Sequence, residues 1–329
     1  MRCVPRDGRS LTALAGGVGA ARMLRGLSHV LEPAEITAVV NTADDVVLHG
    51  LHVSPDIDTV TYTLAEAIDP ERGWGLAAET WTVMDALDRY PEVAPPESSA
   101  GQSWFRLGDR DLATHLYRTQ RLAEHATLSE VTAEVARAWE VAVRLLPMSD
   151  RRVETRLMVP GPDPATSVEI GFQDYFVGRR HAVPVTALRF AGVEESVPAP
   201  GVLESLATAQ RVLICPSNPV VSIAPILAVP GLGEAVADRR ADVVAVSPIV
   251  AGAAVRGPAD RLMTELGHDA SVVGVARLYA PYASTLVVDD ADAHHAAAVE
   301  AEGLRCVAAP TLMTGPAEAA TLARTVLEA

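Results

Sequence analysis

Four aspartates lie close together in the segment NTADDVVLHGLHVSPDID of this 329-residue sequence. They are Asp44, Asp45, Asp56 and Asp58, and no arginine lies between Arg25 upstream and Arg72 downstream. Carboxylates crowded without counter-charges repel one another, so a cation is expected among them. Mg²⁺ fits, because it binds one or two carboxylates and fills its other positions with phosphate oxygens and water. A single aspartate more often caps a helix or turn, as we expect of Asp44 and Asp56, but the set of four indicates a metal site.

The sequence contains no lysine, so all 27 basic residues are arginines. This excludes a P-loop lysine, a Schiff-base lysine and a lysine general base. No Ser-His-Asp or Cys-His arrangement is recognisable, which argues against a protein nucleophile. A phosphate group would therefore be held by backbone N–H groups, by arginine or by a metal ion.

A glycine-rich segment, LAGGVGAARMLRGL, follows the first predicted strand. Gly16, Gly17 and Gly19 would let the backbone approach a phosphate at the N-terminus of the next helix. The dinucleotide pattern GxGxxG fails at its third glycine, where the chain has Arg22. The segment predicts a phosphate-binding loop, and a tight turn without a ligand is the alternative.

Two later segments have candidate ligand-binding residues just after a predicted strand. In CPSNPVVSI, Ser217 and Asn218 could contact a base or a phosphate, or the segment could be only a rigid proline-bounded connection. In SPIVAGAAVRGPAD, Arg256 is a candidate phosphate clamp, and an ordinary surface arginine is the alternative.

The segment LGDRDLATHLYRTQ predicts a helix with three polar residues on one face. Asp111, His115 and Arg118 are spaced by four and three positions, so their side chains are neighbours on that face. The expected explanation is a solvated charged face, and a contact to nucleotide or acceptor is the alternative.

The apolar pattern predicts an α/β fold with a Rossmann-like, doubly wound, mostly parallel sheet. A strand at 10–15, a helix at 20–31 and a strand at 35–40 form a first βαβ unit. Further strand-like runs occur at 183–190, 211–215, 242–247, 271–276, 285–289 and 305–309. Helical patterns separate several of these runs, as expected for strands of a parallel sheet covered on both faces.

The middle of the chain has a different pattern. Residues 59–146 are mainly helical, and Thr127 and Glu130 have capping-box spacing. Two strand-like pieces follow at 152–159 and 166–172. We predict a Rossmann-like body made of residues 1–104 and 181–329, which binds nucleotide and metal, and a mainly helical insertion at 105–180 with a short strand pair.

Composition restricts the partners and the compartment. A formal net charge of −15 argues against a nucleic-acid partner and against an anionic membrane surface. Cys3, Cys215 and Cys306 are far apart and suit a reducing cytosol. Residues 212–233 carry no charge, but prolines interrupt them, so we predict a buried strand and loop there. The expected location is cytoplasmic.

Taken together, these segments resemble the 2-phospho-L-lactate transferases, which in actinobacteria are phosphoenolpyruvate transferases. The matching segments, in chain order, are LAGGVGAARMLRGL, VNTADD, HGL with PDIDTVTYTL, DPERGWGL with ETW, LGDRDLATHLYRTQ, CPSNPVVSI, SPIVAG with RGPAD, and PTLMT. The resemblance implies a Mg²⁺-dependent transfer in the biosynthesis of the deazaflavin coenzyme F-420. A guanosine diphosphate ester of enolpyruvate or lactate would donate its phospho-acid group to the terminal hydroxyl of 7,8-didemethyl-8-hydroxy-5-deazariboflavin, and GMP would leave.

The resemblance also implies roles for particular residues. Asp45 would contact the deazaflavin or its metal, and Asp58 is the second candidate, so both are predicted catalytic residues and Mg²⁺ ligands. Trp81 and Met84 would lie near the deazaflavin ring, although the family tends to have a basic residue where this chain has Met84. A homodimer is expected. The alternative is a non-catalytic, nucleotide-sugar-binding regulatory protein of a related family, whose PPGD segment this chain lacks.

Overall fold

The computed structural model of the protein describes residues 10–95, 98–163 and 166–329, so Cys3 lies outside the described residues. The strands are β1 (Leu11–Ala15), β2 (Ile36–Val40), β3 (Val46–Leu48), β4 (Leu51–Val53), β5 (Arg144–Pro147), β6 (Glu154–Pro160), β7 (Ser167–Gly171), β8 (Ala187–Ala191), β9 (Arg211–Ile214), β10 (Val243–Val246), β11 (Ile249–Val250), β12 (Ala253–Ala254), β13 (Thr285–Val288) and β14 (Arg305–Ala308). The α-helices are α1 (Gly17–Ser28), α2 (Pro55–Leu64), α3 (Thr82–Leu87), α4 (Asp111–Ala123), α5 (Leu128–Ala138), α6 (Val202–Thr208), α7 (Ala224–Ala228), α8 (Leu232–Asp238), α9 (Ala259–Glu265), α10 (Val272–Tyr279), α11 (Ala296–Ala301) and α12 (Pro316–Glu328).

A seven-stranded sheet forms the centre of the molecule, in the order β14-β13-β10-β9-β1-β2-β5. All of its pairings are parallel. Every residue of β1 is buried, as expected for a strand covered on both faces. The predicted doubly wound α/β fold is confirmed.

Two apolar cores cover the two faces of this sheet. Alternate strand residues point to opposite faces, so Leu14 belongs to one core, while Ala13 and Ala15 belong to the other. Helices α1, α2 and α12 pack on the face of Ala13, and helices α6 to α10 supply the core on the face of Leu14. From β1 the sheet grows in two directions: β2 and then β5 follow on one side, and β9 and then β10 follow on the other. The direction in which strands are added therefore reverses between β1 and β9.

Two of the predicted strands are wrong as parts of this sheet. Residues 271–276 form the start of α10, where the Ser271 hydroxyl accepts a hydrogen bond from the Gly274 N–H. This short valine-rich run is buried, and a buried helix cannot be distinguished from a buried strand by apolar residues alone. The run at 183–190 overlaps β8, which pairs antiparallel with β6 in a separate three-stranded sheet of β7, β6 and β8.

The uncharged segment after β9 is helical rather than a loop. Pro219 and Pro225 stand in the first turns of helical segments, where proline is tolerated because its missing N–H would have no partner inside the helix. Within the described residues, no single helix has the length and apolarity needed to span a membrane. One pair, Pro219–Ala228 and Leu232–Asp238, passes by length and composition only, with a bend of 95° between its helices.

The predicted insertion at 105–180 contributes a strand to the central sheet. Strand β5 pairs with β2 at the sheet edge, and β8 completes the small sheet with β6 and β7. The capping box at the start of α5 is confirmed, since the Thr127 and Glu130 side chains each accept a hydrogen bond from the other's backbone N–H. The boundaries of an insertion at 105–180 stay a prediction.

Candidate functional site

A cavity of about 830 Å³ lies at the carboxyl ends of the parallel strands. Its wall contains residues that follow β1, β2, β9 and β10, including Gly17, Asp44, Ser217 and Ser247. The chain order reverses between β1 and β9, and this is where doubly wound sheets bind their ligands. The volume suits a ligand of nucleotide size.

The glycine loop lies on the cavity wall, as predicted, and packing explains two of its glycines. Gly17 has a φ of +70°, and its N–H donates a 2.9 Å hydrogen bond to Asp56 Oδ1. A Cβ on Gly19 would lie 2.1 Å from the Pro216 carbonyl oxygen. Any larger residue at position 19 would push α1 away from the loop that follows β9.

The loop after β9 lies beside the glycine loop. The Ser217 hydroxyl accepts a 3.3 Å hydrogen bond from the Gly16 N–H. Asn218 Oδ1 accepts hydrogen bonds of 3.0 Å from the Val220 N–H and 3.4 Å from the Val221 N–H. Ser217 and Asn218 both line the cavity, so the structure brings the predicted nucleotide-binding residues together. Their contacts to a ligand stay a prediction.

Asp44 and Asp56 line the cavity, although the sequence predicted them as caps when taken singly and as part of a metal site only within the set of four. Asp56 Oδ2 accepts a 2.9 Å hydrogen bond from Asn41 Nδ2, while Asp44 Oδ1 has no hydrogen-bond partner among the described residues. Burial, followed by repulsion from Asp56 and Asp45, raises the pKa of Asp44 well above its usual value. Burial also raises the pKa of Asp56 to about 6, against the opposing effect of its hydrogen bonds from Asn41 and Gly17. Two buried carboxylates so close together would bind a cation readily.

Asp45 does not line the cavity. Its Oδ2 accepts a 2.6 Å hydrogen bond from the Ser54 hydroxyl, and its Oδ1 has no hydrogen-bond partner within the described part of the chain. Burial raises the pKa of Asp45 to about 8. Asp45 therefore keeps an unpaired carboxylate oxygen close enough to Asp44 for the two charges to interact.

Asp58 lies in a buried cluster between α2 and α4. Both Asp58 oxygens accept hydrogen bonds from the Arg118 guanidinium, and Arg118 Nη1 also lies 3.2 Å from His115 Nδ1. His115 Nε2 lies 3.3 Å from Asp111 Oδ2, and the Tyr62 hydroxyl donates a 2.6 Å hydrogen bond to Asp111 Oδ1. His115 and Arg118 are each only 1% exposed, so the predicted solvated face of α4 is wrong.

Asp58, Asp111 and His115 could hold a metal ion, because one ligand atom of each lies within 4.8 Å of the others. Arg118 already supplies a positive charge to this cluster. The carboxylate oxygens without a hydrogen-bond partner, Asp44 Oδ1 and Asp45 Oδ1, are hard ligands of the kind that Mg²⁺ binds. Both groups of acidic residues therefore fit a divalent cation. Asp44 and Asp45 could bind it without displacing an arginine, whereas Asp58 could not.

Four arginines line the cavity, and only Arg256 was predicted there. Arg22, which stands in place of a third loop glycine, donates a 3.0 Å hydrogen bond to the Met313 carbonyl oxygen. Burial lowers the pKa of Arg22, and the nearby charges of Arg256 and Arg25 lower it further. Arg72 and Arg106 complete the set. The only sequence signal for Arg72 was its place in the segment DPERGWGL.

Trp81 and Met84 do not belong to the cavity wall. Met84 is completely buried in a small apolar cluster with Leu48, Val53 and Leu107. The ring of Trp81 lies beside the guanidinium groups of Arg72 and Arg106. Neither position tests the predicted deazaflavin contacts, which stay a prediction.

Comparisons with known proteins agree on the family. The profile of the family described as "2-phospho-L-lactate transferase CofD" matches residues 11–312. A phosphoenolpyruvate transferase of Kitasatospora aureofaciens is 48% identical over 319 residues, covering 96% of each chain. Another, of Mycolicibacterium smegmatis, is 39% identical over 327 residues, covering 97% of this chain and 98% of its own. A crystal structure of a UPF0052 family member from Bacillus halodurans has a TM-score of 0.59 at 16% identity and covers 98% of this chain and 99% of its own, a likeness of fold alone.

Proposed function

Because this chain belongs to the 2-phospho-L-lactate transferase CofD family and is a transferase of phosphate-containing groups, we propose that it joins a nucleotide-linked donor to a flavin-like acceptor. The donor is a guanosine diphosphate ester of enolpyruvate or of lactate. The acceptor is the terminal hydroxyl of 7,8-didemethyl-8-hydroxy-5-deazariboflavin, and GMP leaves. The relatives named phosphoenolpyruvate transferase favour the enolpyruvyl donor.

The observation that carries this proposal is the composition of the cavity wall. The glycine loop, two buried aspartates and four arginines meet in one space at the carboxyl edge of the sheet. Transfer of a phosphoryl-type group depends mainly on positioning and charge neutralisation, so it requires no protein nucleophile. A wall with both signs of charge suits a diphosphate held together with a divalent cation.

In the proposed reaction, the acceptor hydroxyl oxygen attacks the phosphorus atom that carries the acid group. A new oxygen–phosphorus bond forms, the bond from that phosphorus to the GMP phosphate breaks, and the hydroxyl proton leaves. The Gly16 and Gly17 N–H groups already donate to Ser217 and Asp56, so the N–H groups of Val18 and Gly19 in the first turn of α1, together with Arg256, would hold the diphosphate. Asp45 was predicted to contact the acceptor or its metal, and because Asp45 does not line the cavity, its unpaired Oδ1 supports the metal role.

Mg²⁺, when bound, would neutralise charge on the diphosphate. Asp45 and Asp58 were the predicted ligands. The contacts support Asp44 and Asp45, whose Oδ1 atoms have no hydrogen-bond partner among the described residues, more than Asp58, which is paired with Arg118. Asp56, on the cavity wall, would support the same site.

The direct test is incubation with the guanosine diphosphate donor and the deazariboflavin, followed by mass spectrometry. We expect the transferred product and an equal amount of GMP with Mg²⁺, and neither in EDTA. Absence of GMP release at every donor tested would show that the proposal is wrong.

Thermal stability separates the proposed enzyme from a nucleotide-sugar-binding regulatory protein. GDP with Mg²⁺ at about 100 times its dissociation constant should add ~2.7 kcal/mol to the free energy of unfolding by mass action. A uridine-linked sugar should add none. The reverse result would favour the regulatory protein, and equal stabilisation by GDP with and without EDTA would count against the metal.

A further inference from the structure

Two arginines and two tryptophans form a continuous contact beside the cavity, which we name the stacking wall: Arg72, Trp74, Trp81 and Arg106. The guanidinium carbon of Arg72 lies 5.3 Å from the ring centroid of Trp74 and 5.1 Å from that of Trp81. The guanidinium carbon of Arg106 lies 6.0 Å from the centroid of Trp81. Arg72, Trp74 and Arg106 line the cavity, so the wall faces it through one ring and two cations.

Hydrogen bonds hold both cations in place. Arg72 Nη2 pairs with Asp69 Oδ2 at 2.7 Å and also donates to the Leu76 carbonyl oxygen. Arg106 pairs with Asp88, and with Asp85 through its other terminal nitrogen. None of these three aspartates lines the cavity, so the wall faces the ligand with its guanidinium groups and not with their carboxylate partners.

The same wall has an open aromatic surface. Trp74 is 47% exposed although its neighbour Arg72 is partly buried, and Arg72 Nε is buried with no hydrogen-bond partner among the described residues. Arg256 connects this wall to the rest of the cavity, because its Nη1 donates a 3.0 Å hydrogen bond to the Arg72 carbonyl oxygen. Such a surface fits a flat ring with a negative charge, which gains both from stacking and from the guanidinium groups.

The proposed acceptor can supply such a ring. Its 8-hydroxyl is conjugated through the tricyclic system to the pyrimidinedione carbonyls, so loss of the proton spreads the negative charge over the whole ring. Guanine, the other ring in the proposed reaction, is neutral at pH 7. It would gain stacking from the wall but no attraction between whole charges.

We propose that the stacking wall binds the acceptor ring in its ionised form, with Arg72 as the residue that favours the 8-olate over the neutral 8-hydroxyl. This inference rests on the proposed function, since it needs a deazaflavin acceptor. Arg72 acts on the distal end of the ring, away from the reacting hydroxyl. It therefore determines specificity and is not a catalytic residue.

The test is a pH titration of the acceptor's absorbance, free and bound to the full-length protein without donor. An opposite charge within about 4–6 Å lowers an acid's pKa by one unit or more, so we expect the bound 8-hydroxyl to ionise at least about one pH unit below the free one. Arg72→Gln should remove most of that shift, and Arg72→Lys should keep part of it. The matched control is Arg89→Gln, which makes the same charge change at an exposed position outside the cavity wall.

Kinetics with two acceptors complete the test. Arg72→Gln should raise the KM for the 8-hydroxy acceptor about tenfold, because a pKa shift of about one unit is a tenfold preference for the ionised ring, and should leave the donor KM unchanged. An 8-methoxy acceptor, which cannot ionise, should bind wild type and Arg72→Gln alike. Melting temperatures of all variants confirm that they are folded.

Three results would overturn the inference: a bound acceptor that titrates like the free one, Arg72→Gln behaving like Arg89→Gln, or an equal loss of affinity for the 8-methoxy acceptor. A weakened donor KM alone would place guanine on the wall instead, and so would also overturn it. If the acceptor binds with the expected shift but no product forms, the ring assignment stands and the proposed transfer fails.

Discussion

Asp56 and Asp58 are two positions apart at the start of α2, yet they belong to different environments. Two positions turn a helix by about 200°, so the two side chains point to nearly opposite sides. Asp56 accepts the Gly17 N–H and lines the cavity. Asp58 points towards α4 and is paired with Arg118 in a cluster closed off from solvent.

The two environments differ in whether the buried carboxylates have a partner inside the protein. In the Asp58 cluster, each carboxylate has a partner supplied by α2 or α4, namely Arg118, His115 or Tyr62. At the cavity, burial and mutual repulsion raise the pKa of Asp44, and no arginine pairs with it among the described residues. Carboxylates of the first kind are paired within the fold, and those of the second kind are the ones that the proposed function assigns to a cation.

The largest effect should come from Asp58→Ala. It would leave the Arg118 guanidinium buried without its carboxylate, which typically costs about 3–5 kcal/mol of unfolding free energy. Urea unfolding measures this loss, and the double variant Asp58→Ala with Arg118→Met should recover much of it. A stable Asp58→Ala protein would contradict the structural role of the pair.

The next effect is a fall in stability of the metal-free protein with rising pH. Asp56 has a folded-state pKa of about 6, above its usual value of 3.8. The folded state therefore keeps a proton that the unfolded chain has lost, so this contribution is complete below about pH 4 and is lost as the pH rises through about 6. Two pH units correspond to about 3 kcal/mol.

Urea unfolding in EDTA between pH 4 and 7 measures this dependence. Asp56→Asn, which cannot titrate, should make the fall over that range less steep, and the fall that remains would come from Asp44 and Asp45, whose pKa values are also raised. A wild-type stability that rises across the same range would mean that Asp56 is stabilised as the anion, like the paired Asp58.

Asp44→Asn should reduce the rate of transfer about a hundredfold, the usual size for losing one group that neutralises charge in a transition state. Stability should stay the same or increase, because repulsion with Asp56 and Asp45 is relieved. Steady-state kinetics and melting temperature together measure both. Asp290→Asn, at an exposed position outside the cavity wall, is the control, and equal rates in the two variants would remove Asp44 from the site.

The smallest effect concerns the contact between α4 and the β3–β4 hairpin. The Thr119 hydroxyl accepts a 2.8 Å hydrogen bond from the His52 N–H. Thr119→Val should cost about 1 kcal/mol of stability without changing the rate, while Thr119→Ser should cost less. A changed rate at unchanged stability would show that the α4 region takes part in the reaction and is not only structural.

Part of the candidate site was predictable from the sequence, and part of it was not. The glycine loop, Ser217 and Arg256 were predicted together, because each follows a strand and the ends of parallel strands share one sheet edge. Arg22 and Arg72 were missed as wall residues, since single arginines in loops and on helices carry no spacing signal. The misassigned strand at 271–276 has a similar cause, because a short buried helix and a short buried strand have the same apolar composition.

The sequence by itself determined the local features: the buried strands, the glycine loop, the capping box of α5 and the crowding of aspartates. Periodicity and turn chemistry act over a few residues, so they are readable without a structure. Only the tertiary structure decided which aspartates are neutralised inside the protein. Arg118 lies 60 positions from Asp58 and reaches it because α4 packs beside β4, and α2 turns Asp56 the other way, towards the glycine loop. Charge pairing across such separations depends on the packing of whole elements, which no local pattern encodes.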